Sequence, residues 1–358
     1  MRLQLGWLAL VGILAGTGDV QAQEEETDDA WSGQVVSRYL LYADDDATTV
    51  STGIIDATLK VPFEIEVGAH TLIDAVSSAS IDVVSAATER WTEIRAEAGI
   101  RATRELSGTD FGLGYVHSQE EDWASDTVQF GAGRDFFQSN FRVESKVGMV
   151  VNRVGRASDP VFEEDLKVYF GDLGFSQLID EKSRVGLSYG LQRANGYQAS
   201  PYRYVGAADG TRMPETHPEE RMRHWLAGYG LRQLTSLLTA RLNYRFYWDD
   251  WAVRSHTAKL LLRADINDTL YIAWHARGYQ QSDADFYRKG YPEAQRYMSS
   301  DRELSRFWNI GSGLNVGAQL GPVLVDAKLA LTHYSFKNFE ALPKRLATVA
   351  GAGASMPW

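Results

Sequence analysis

Apolar and polar residues alternate with a period of two along most of this chain. From Leu238 to Trp248, the residues Leu238, Ala240, Leu242, Tyr244, Phe246 and Trp248 fall on one side, and Thr239, Arg241, Asn243, Arg245 and Tyr247 on the other. Successive side chains of a strand point to opposite faces, so the pattern predicts a β-strand with one apolar and one polar face. "TLYIAWHARGYQ" divides the same way, with Leu270, Ile272, Trp274, Ala276 and Gly278 against Tyr271, His275, Arg277 and Tyr279. "WTEIRAEAGIRATRE" sets Ile94, Ala96, Ala98 and Ile100 against Glu93, Arg95, Glu97 and Arg101.

Segmenting on this alternation predicts sixteen strands, near 31–43, 50–62, 64–76, 91–105, 109–119, 125–137, 139–154, 166–180, 183–195, 221–235, 238–250, 253–266, 269–281, 306–320, 323–336 and 346–358. Ends read from pattern slide by ~2–4 residues, so fourteen to eighteen strands fit the same sequence. Soluble strands average about five or six residues, whereas these run to a dozen or more, enough for the ~9–11 residues of a tilted membrane strand. Tight connections ("VPFE", "LSGT", "FFQSN", "IDEKS", "LTS", "NDT", "LGP") alternate with longer ones. Aromatic residues stand near strand ends, among them Trp91, Phe111, Phe136, Trp248, Trp308 and Phe336. The chain stops on Trp358, with Met356, Ala354, Ala352 and Ala350 on one face before it. Together these features predict an all-β transmembrane antiparallel up-and-down β-barrel with both termini periplasmic. A terminal aromatic on such a strand resembles the signal that outer-membrane barrels present to the barrel assembly machinery. Closure has a physical cause, since in hydrocarbon every backbone donor and acceptor must pair within the protein.

The opening "MRLQLGWLALVGILAGTGDVQAQEEE" changes where the chain is expected to go. One Arg, an apolar run from Leu3 to about Ala15, and Val20-Gln21-Ala22 with small residues at the positions a signal peptidase reads predict a secretory signal peptide, 1–22, cleaved after Ala22. The run is too short for the ~20 apolar residues of a spanning helix. A short acidic segment, 23–30, then precedes the barrel at 31–358. The net charge of −11 argues against nucleic acid as a partner, and the absence of cysteine excludes disulfides and thiolate chemistry. Expected partners are outer-membrane lipid, lipopolysaccharide and the barrel assembly machinery.

Five stretches carry a family resemblance in combination: "SIDVVSAATERWTEIR" at 80–95, "GYQASPYRYV" at 196–205, "HPEERMRHW" at 217–225, "YRFYWDDWAVRSHT" at 244–257 and "YQQSDADFY" at 279–287. In this order the chain resembles the domain of unknown function 3570 family of bacterial outer-membrane proteins, over most of its length. The resemblance implies a Gram-negative outer membrane and a barrel. Members are often encoded near periplasmic flavin-attachment and thioredoxin-like proteins, which implies a redox or export setting. It brings no catalytic residues with it.

Candidate chemistry is limited. The seven histidines are scattered without metal-ligand spacing. Acidic groups in outer loops suit Ca²⁺ or Mg²⁺ better, with Asp249, Asp250, Asp283 and Asp285 as candidates, although a solvated acidic rim gives the same pattern. No nucleophile elbow, phosphate loop or dinucleotide motif is present, so no cofactor and no enzyme are expected. Ser255 and His256 beside His275 would be the only ground for a barrel-embedded hydrolase. The polar faces point instead to a lumen, whose expected lining includes Glu93, Arg95, Glu97, Arg101, Arg142, Glu144, Lys146, Arg241, Arg245, Lys259, Arg263, His275 and Arg277. A sixteen-stranded cylinder is too wide to fill with side chains. The loops at 196–220 and 282–305 are long enough to fold over it, with Tyr202, Arg203, Tyr204, Arg288, Tyr291, Arg296 and Tyr297 as constriction candidates. Two functions follow from this reading. One is a passive channel for small polar solutes or a secreted product. The other is a non-conducting scaffold that docks a periplasmic, redox-linked partner.

Overall fold

The structure, a computed structural model, describes residues 31–78, 91–207, 210–339 and 342–358; the expected signal peptide and acidic segment lie outside the described residues. Alternation is realised as β1 (Ser32–Asp44), β2 (Thr48–Val61), β3 (Ile65–Ser78), β4 (Trp91–Leu106), β5 (Thr109–Gln119), β6 (Trp123–Phe136), β7 (Phe141–Gly155), β8 (Glu163–Asp180) and β9 (Ser183–Gly196). It continues through β12 (Glu220–Gln233), β13 (Leu238–Asp249), β14 (Arg254–Asp265), β15 (Leu270–Gln281), β16 (Phe307–Leu320), β17 (Val323–Phe336) and β18 (Lys344–Pro357). These sixteen strands close into one antiparallel barrel, each paired with its neighbour in the chain apart from the small hairpin β10 (Tyr204–Gly206) and β11 (Arg212–Pro214), which stands outside the wall. Their ends depart from the sequence expectation by at most three residues.

The seam is the pairing of β1 with β18, from Gln34 opposite Pro357 to Asp44 opposite Ala347. Gly33 and Trp358 exchange both backbone hydrogen bonds at 2.9 Å and finish it. The start of β1 and the end of β18 therefore share the end of the barrel that carries seven tight turns, 62–64, 107–108, 137–140, 181–182, 234–237, 266–269 and 321–322. At 107–108, Ser107 and Gly108 both have positive φ, 53° and 73°, the twist a two-residue hairpin requires. The longer connections, including 197–219 and 282–306, stand at the opposite end, together with the short turns 45–47, 120–122 and 250–253.

Burial separates the two faces of the wall. Ile94, Ile100, Leu113, Leu242 and Leu329 are among the most exposed side chains, while Glu97, Gln129, Asn152, Gln192 and Asn309 are buried. A concave side crowds side chains together and a convex side spreads them, so the polar set lines the inside and the apolar set faces out. Fourteen residues at about 3.3 Å rise, tilted by about 40°, span roughly 35 Å, which covers the ~25 Å apolar band of such barrels. Outward aromatics gather toward both ends. Phe136, Phe141 and Phe175 cluster near the tight turns, with Phe141 stacked on Phe175. His224, Phe246 and Trp248 stack near the long loops. Phe336 departs from the sequence expectation, because it faces inward, 4% exposed, against Phe307 and beneath the Arg302 guanidinium.

Three inner glycines make room for aromatic rings from the adjoining strand. A β-carbon at Gly186, Gly190 or Gly317 would overlap the ring of Tyr229, Trp225 or Tyr271, respectively. Gly230, by contrast, faces open space. Gly190→Val is expected to lose about 1–3 kcal/mol through this overlap. Gly230→Val should be close to neutral. The temperature at which the compact barrel converts to the unfolded band in detergent gels tests the pair, and equal shifts would contradict the ring niche.

Candidate functional site

All thirteen lumen candidates occupy the inner face, opposite the exposed apolar positions of their own strands or in register with inner residues next door. They are not equivalent. On β2 to β5, carboxylates and bases pair densely: His70 Nδ1 lies 2.6 Å from Asp56 and its Nε2 3.4 Å from Glu97. Arg95 lies 2.5 Å from Glu97 and 3.8 Å from Asp74, and donates to Ser118 at 3.0 Å. Arg101 reaches Glu66 at 3.4 Å. Arg142 on β7 gathers Asp110, Asp135 and Glu144 within 2.7 to 3.3 Å.

On β13 to β15 the cations are held by rings and amides instead. The Arg241 guanidinium lies 4.6 Å from the Tyr229 ring centre, Arg245 lies 5.3 Å from Trp225, and Arg263 lies 4.1 Å from Tyr271. These are the rings seated on Gly186, Gly190 and Gly317, so backbone, ring and guanidinium form a three-layer stack. Arg277 donates to Asn309 at 2.8 Å and sits 5.2 Å from Tyr279. Of the stacked arginines, Arg263 also has a carboxylate, Asp265, at 2.8 Å.

The long loops form a continuous body at the other end. Residues 197–219 and 282–306 join through bridges from Ala207 to Tyr291 and from Thr216 to Met298. Val205, Tyr291 and Met298 pack as an apolar kernel, and Trp251, Val253, Ala284, Tyr287 and Leu304 form a second. Between them lies a polar knot. Arg203 pairs with Asp301 at 2.6 Å and Glu215 at 3.5 Å, His217 lies 3.1 Å from Glu215, and Ser299 Oγ donates to Glu215. The body is tied to neighbouring hairpins through Arg302 to Asp46 at 2.7 Å, Arg345 to Glu303 at 3.3 Å, Arg156 to the Pro201 carbonyl, and Tyr202 to Asp122.

The constriction candidates divide accordingly. Arg203 and Tyr291 hold the loops together, Tyr291 accepting from Ser299 N at 2.7 Å and donating to the Phe286 carbonyl. Arg288 caps the carbonyls of Asp285 and Tyr287. Tyr204 is exposed beneath Arg212. Arg296 and Tyr297 stack at 5.0 Å and, with Asp250, Trp251, Asp285 and Phe286, border an open recess of about 420 Å³. Alternation is silent within loops, so the knot residues Glu215, His217, Ser299 and Asp301 leave no pattern in the sequence.

The four metal candidates are occupied or dispersed. Asp249 accepts from Arg221, Tyr247, Trp251 N and Val253 N, Asp250 accepts from Met222 N, and Asp283 accepts from Asn338. Among the described residues the carboxylates that do converge are Glu93, Glu120 and Asp122, with oxygens within 4.8 Å of one another. Ser255 and His275 are far apart, since His275 stands opposite Leu261, six residues along β14, or roughly 20 Å.

Burial works to raise the Glu215 carboxyl, but His217 and Arg203 outweigh it and hold it below the usual carboxylate value. Asp301 is likewise held low by Arg203 against its burial. A carboxyl depressed in the folded state stabilises fully above its unfolded value of ~4.3 for Glu or ~3.9 for Asp, and that stability is lost as pH falls through the folded value. The loop body is therefore expected to loosen below about pH 4 while the barrel persists. Arg203→Met, which removes the base from buried Asp301 and leaves Glu215 to His217 and Ser299, should loosen it at neutral pH by about 3–5 kcal/mol. Hydrogen exchange at 197–219 and 282–306 measures both, and protection unchanged in the variant and in acid would refute the role of the knot.

The fold matches known barrels at low identity. The chain aligns over 93% of its length with all of a bacterial polysaccharide outer-membrane secretin, at a TM-score of 0.51 and 8% identity. It aligns over 94% of its length with CdiB from Acinetobacter baumannii, at 0.55 and 11%, where it spans 61% of the longer protein. Both likenesses establish the outer-membrane β-barrel fold. No curated protein matches the sequence. The profile of the family described as "Protein of unknown function (DUF3570)" matches residues 2–350, and the chain belongs to that family.

Proposed function

We propose that the protein is a passive channel of a bacterial outer membrane for small polar solutes or a secreted product, with the tight turns and both termini in the periplasm and the loop body outside. The width of the lumen carries the proposal. Sixteen strands about 4.8 Å apart and tilted by about 40° enclose a cylinder roughly 30 Å across at the backbone. Inner side chains reach only part of that span, and the lumen pairs named above join strands that are adjacent or one apart within one wall. Water fills what remains, bounded by fixed charges and rings. The loop body narrows the outer mouth and leaves the wall itself in place. The scaffold reading accounts for the closed barrel equally well, but it gives no role to a polar lumen of this width.

Purified barrel in a planar bilayer is expected to give discrete conductance steps. Replacing residues 286–300 by a short Gly-Ser linker should raise the unit conductance roughly twofold by widening the mouth. A correctly folded, heat-modifiable barrel that passes no current above background in either form would rule the channel out.

A further inference from the structure

We propose that the inner wall of β13 to β17 carries a binding site for small carboxylates, formed by Arg241, Arg245, Lys259, Arg277 and Lys328. The inference rests on the channel reading for its route of access and on the geometry of the wall for its chemistry. Lys259 stands directly opposite Arg277 in the β14–β15 register, and two like charges at such a position destabilise a sheet. Lys328 and Arg241 add further positive charge close to Lys259. Among the described residues, none of the five makes an ion pair with a carboxylate. Two acids border the cluster, Asp172 near Arg245 and Asp326 two residues from Lys328 on β17, and they are engaged by Trp225 and Asn315 rather than by these five bases.

The arginines are presented for an anion rather than spent on the wall. Arg241 lies on Tyr229 and donates through Nε to Asn243 at 3.0 Å. Arg245 lies on Trp225, and Trp225 is seated on Gly190. A guanidinium resting on a ring keeps part of its planar edge free, and that edge matches the two oxygens of a carboxylate. Its ring support also limits the rotamer freedom lost when the anion binds. Lys259, between Asn243 and Arg277, contributes a mobile ammonium in the middle of β14. Small dicarboxylates would engage two of these groups at once.

The opposite wall reinforces the contrast. Counting around the barrel, β4 lies eight strands from β14 in either direction, diametrically across the lumen. There Glu97 is engaged by Arg95 and His70. An anion entering the lumen meets acids already held by their own bases on one side, and on the other five bases that form no ion pair with a carboxylate, beside the Arg263–Asp265 pair.

Calorimetry on the full barrel in detergent, with succinate as probe and succinamide as its uncharged counterpart, tests the site without reference to conduction. Succinate is expected to bind and succinamide not to. The double variant K259Q/R277Q should bind succinate at least about tenfold more weakly, as the loss of charge-assisted hydrogen bonds implies, with unchanged heat-modifiability. K259R should retain binding. Equal succinate affinity in wild type and K259Q/R277Q, or equal binding of succinamide, overturns the site. In bilayers, succinate should reduce the potassium chloride current in wild type and not in K259Q/R277Q. Conductance that ignores succinate in both would overturn the site and leave the channel standing, whereas succinate binding to a barrel that passes no current would remove the channel and leave the site.

Discussion

Every feature of this protein depends on one requirement, that no backbone N–H or C=O facing hydrocarbon be left without a partner. An open sheet of these strands would leave two unpaired edges, each group costing several kcal/mol in lipid. Pairing β1 with β18 removes both edges at once. Closure then fixes the rest: a convex side that must be apolar, a concave side free to be polar, and a circumference set by strand number. The lumen is a consequence of the wall, and its chemistry is what the inner positions place there.

Most of the wall was legible in the sequence because a period of two survives wherever one face meets lipid. The strand that includes Leu242 and Tyr244 outside and Arg241 and Arg245 inside is as plain in the letters as in the fold. Phe336 was the exception, since a large aromatic near a strand end reads as part of an outer belt, whereas burial against Phe307 and Arg302 is a matter of three-dimensional packing.

What the sequence concealed was register. Arg241, Tyr229 and Gly186 share inner parity, yet nothing local says that the ring of Tyr229 lies over Gly186 or that the guanidinium lies on the ring. The contrast between a densely ion-paired wall and a cation-rich one emerges only when β14 is set across from β4. The knot around Glu215 was hidden more completely, because its members come from segments about eighty residues apart and loops carry no periodicity.

The contacts of Arg302 with Asp46 and of Arg345 with Glu303 connect the loop after β15 to hairpins on both sides of the β1–β18 seam. The Arg302–Asp46 contact can engage only after the first and last strands have met. In assembly terms, it adds a late, geometry-dependent step that distinguishes a finished cylinder from a curled sheet with its final strand unplaced. The order in the loop body thus records, at one end of the molecule, an event completed along its whole length.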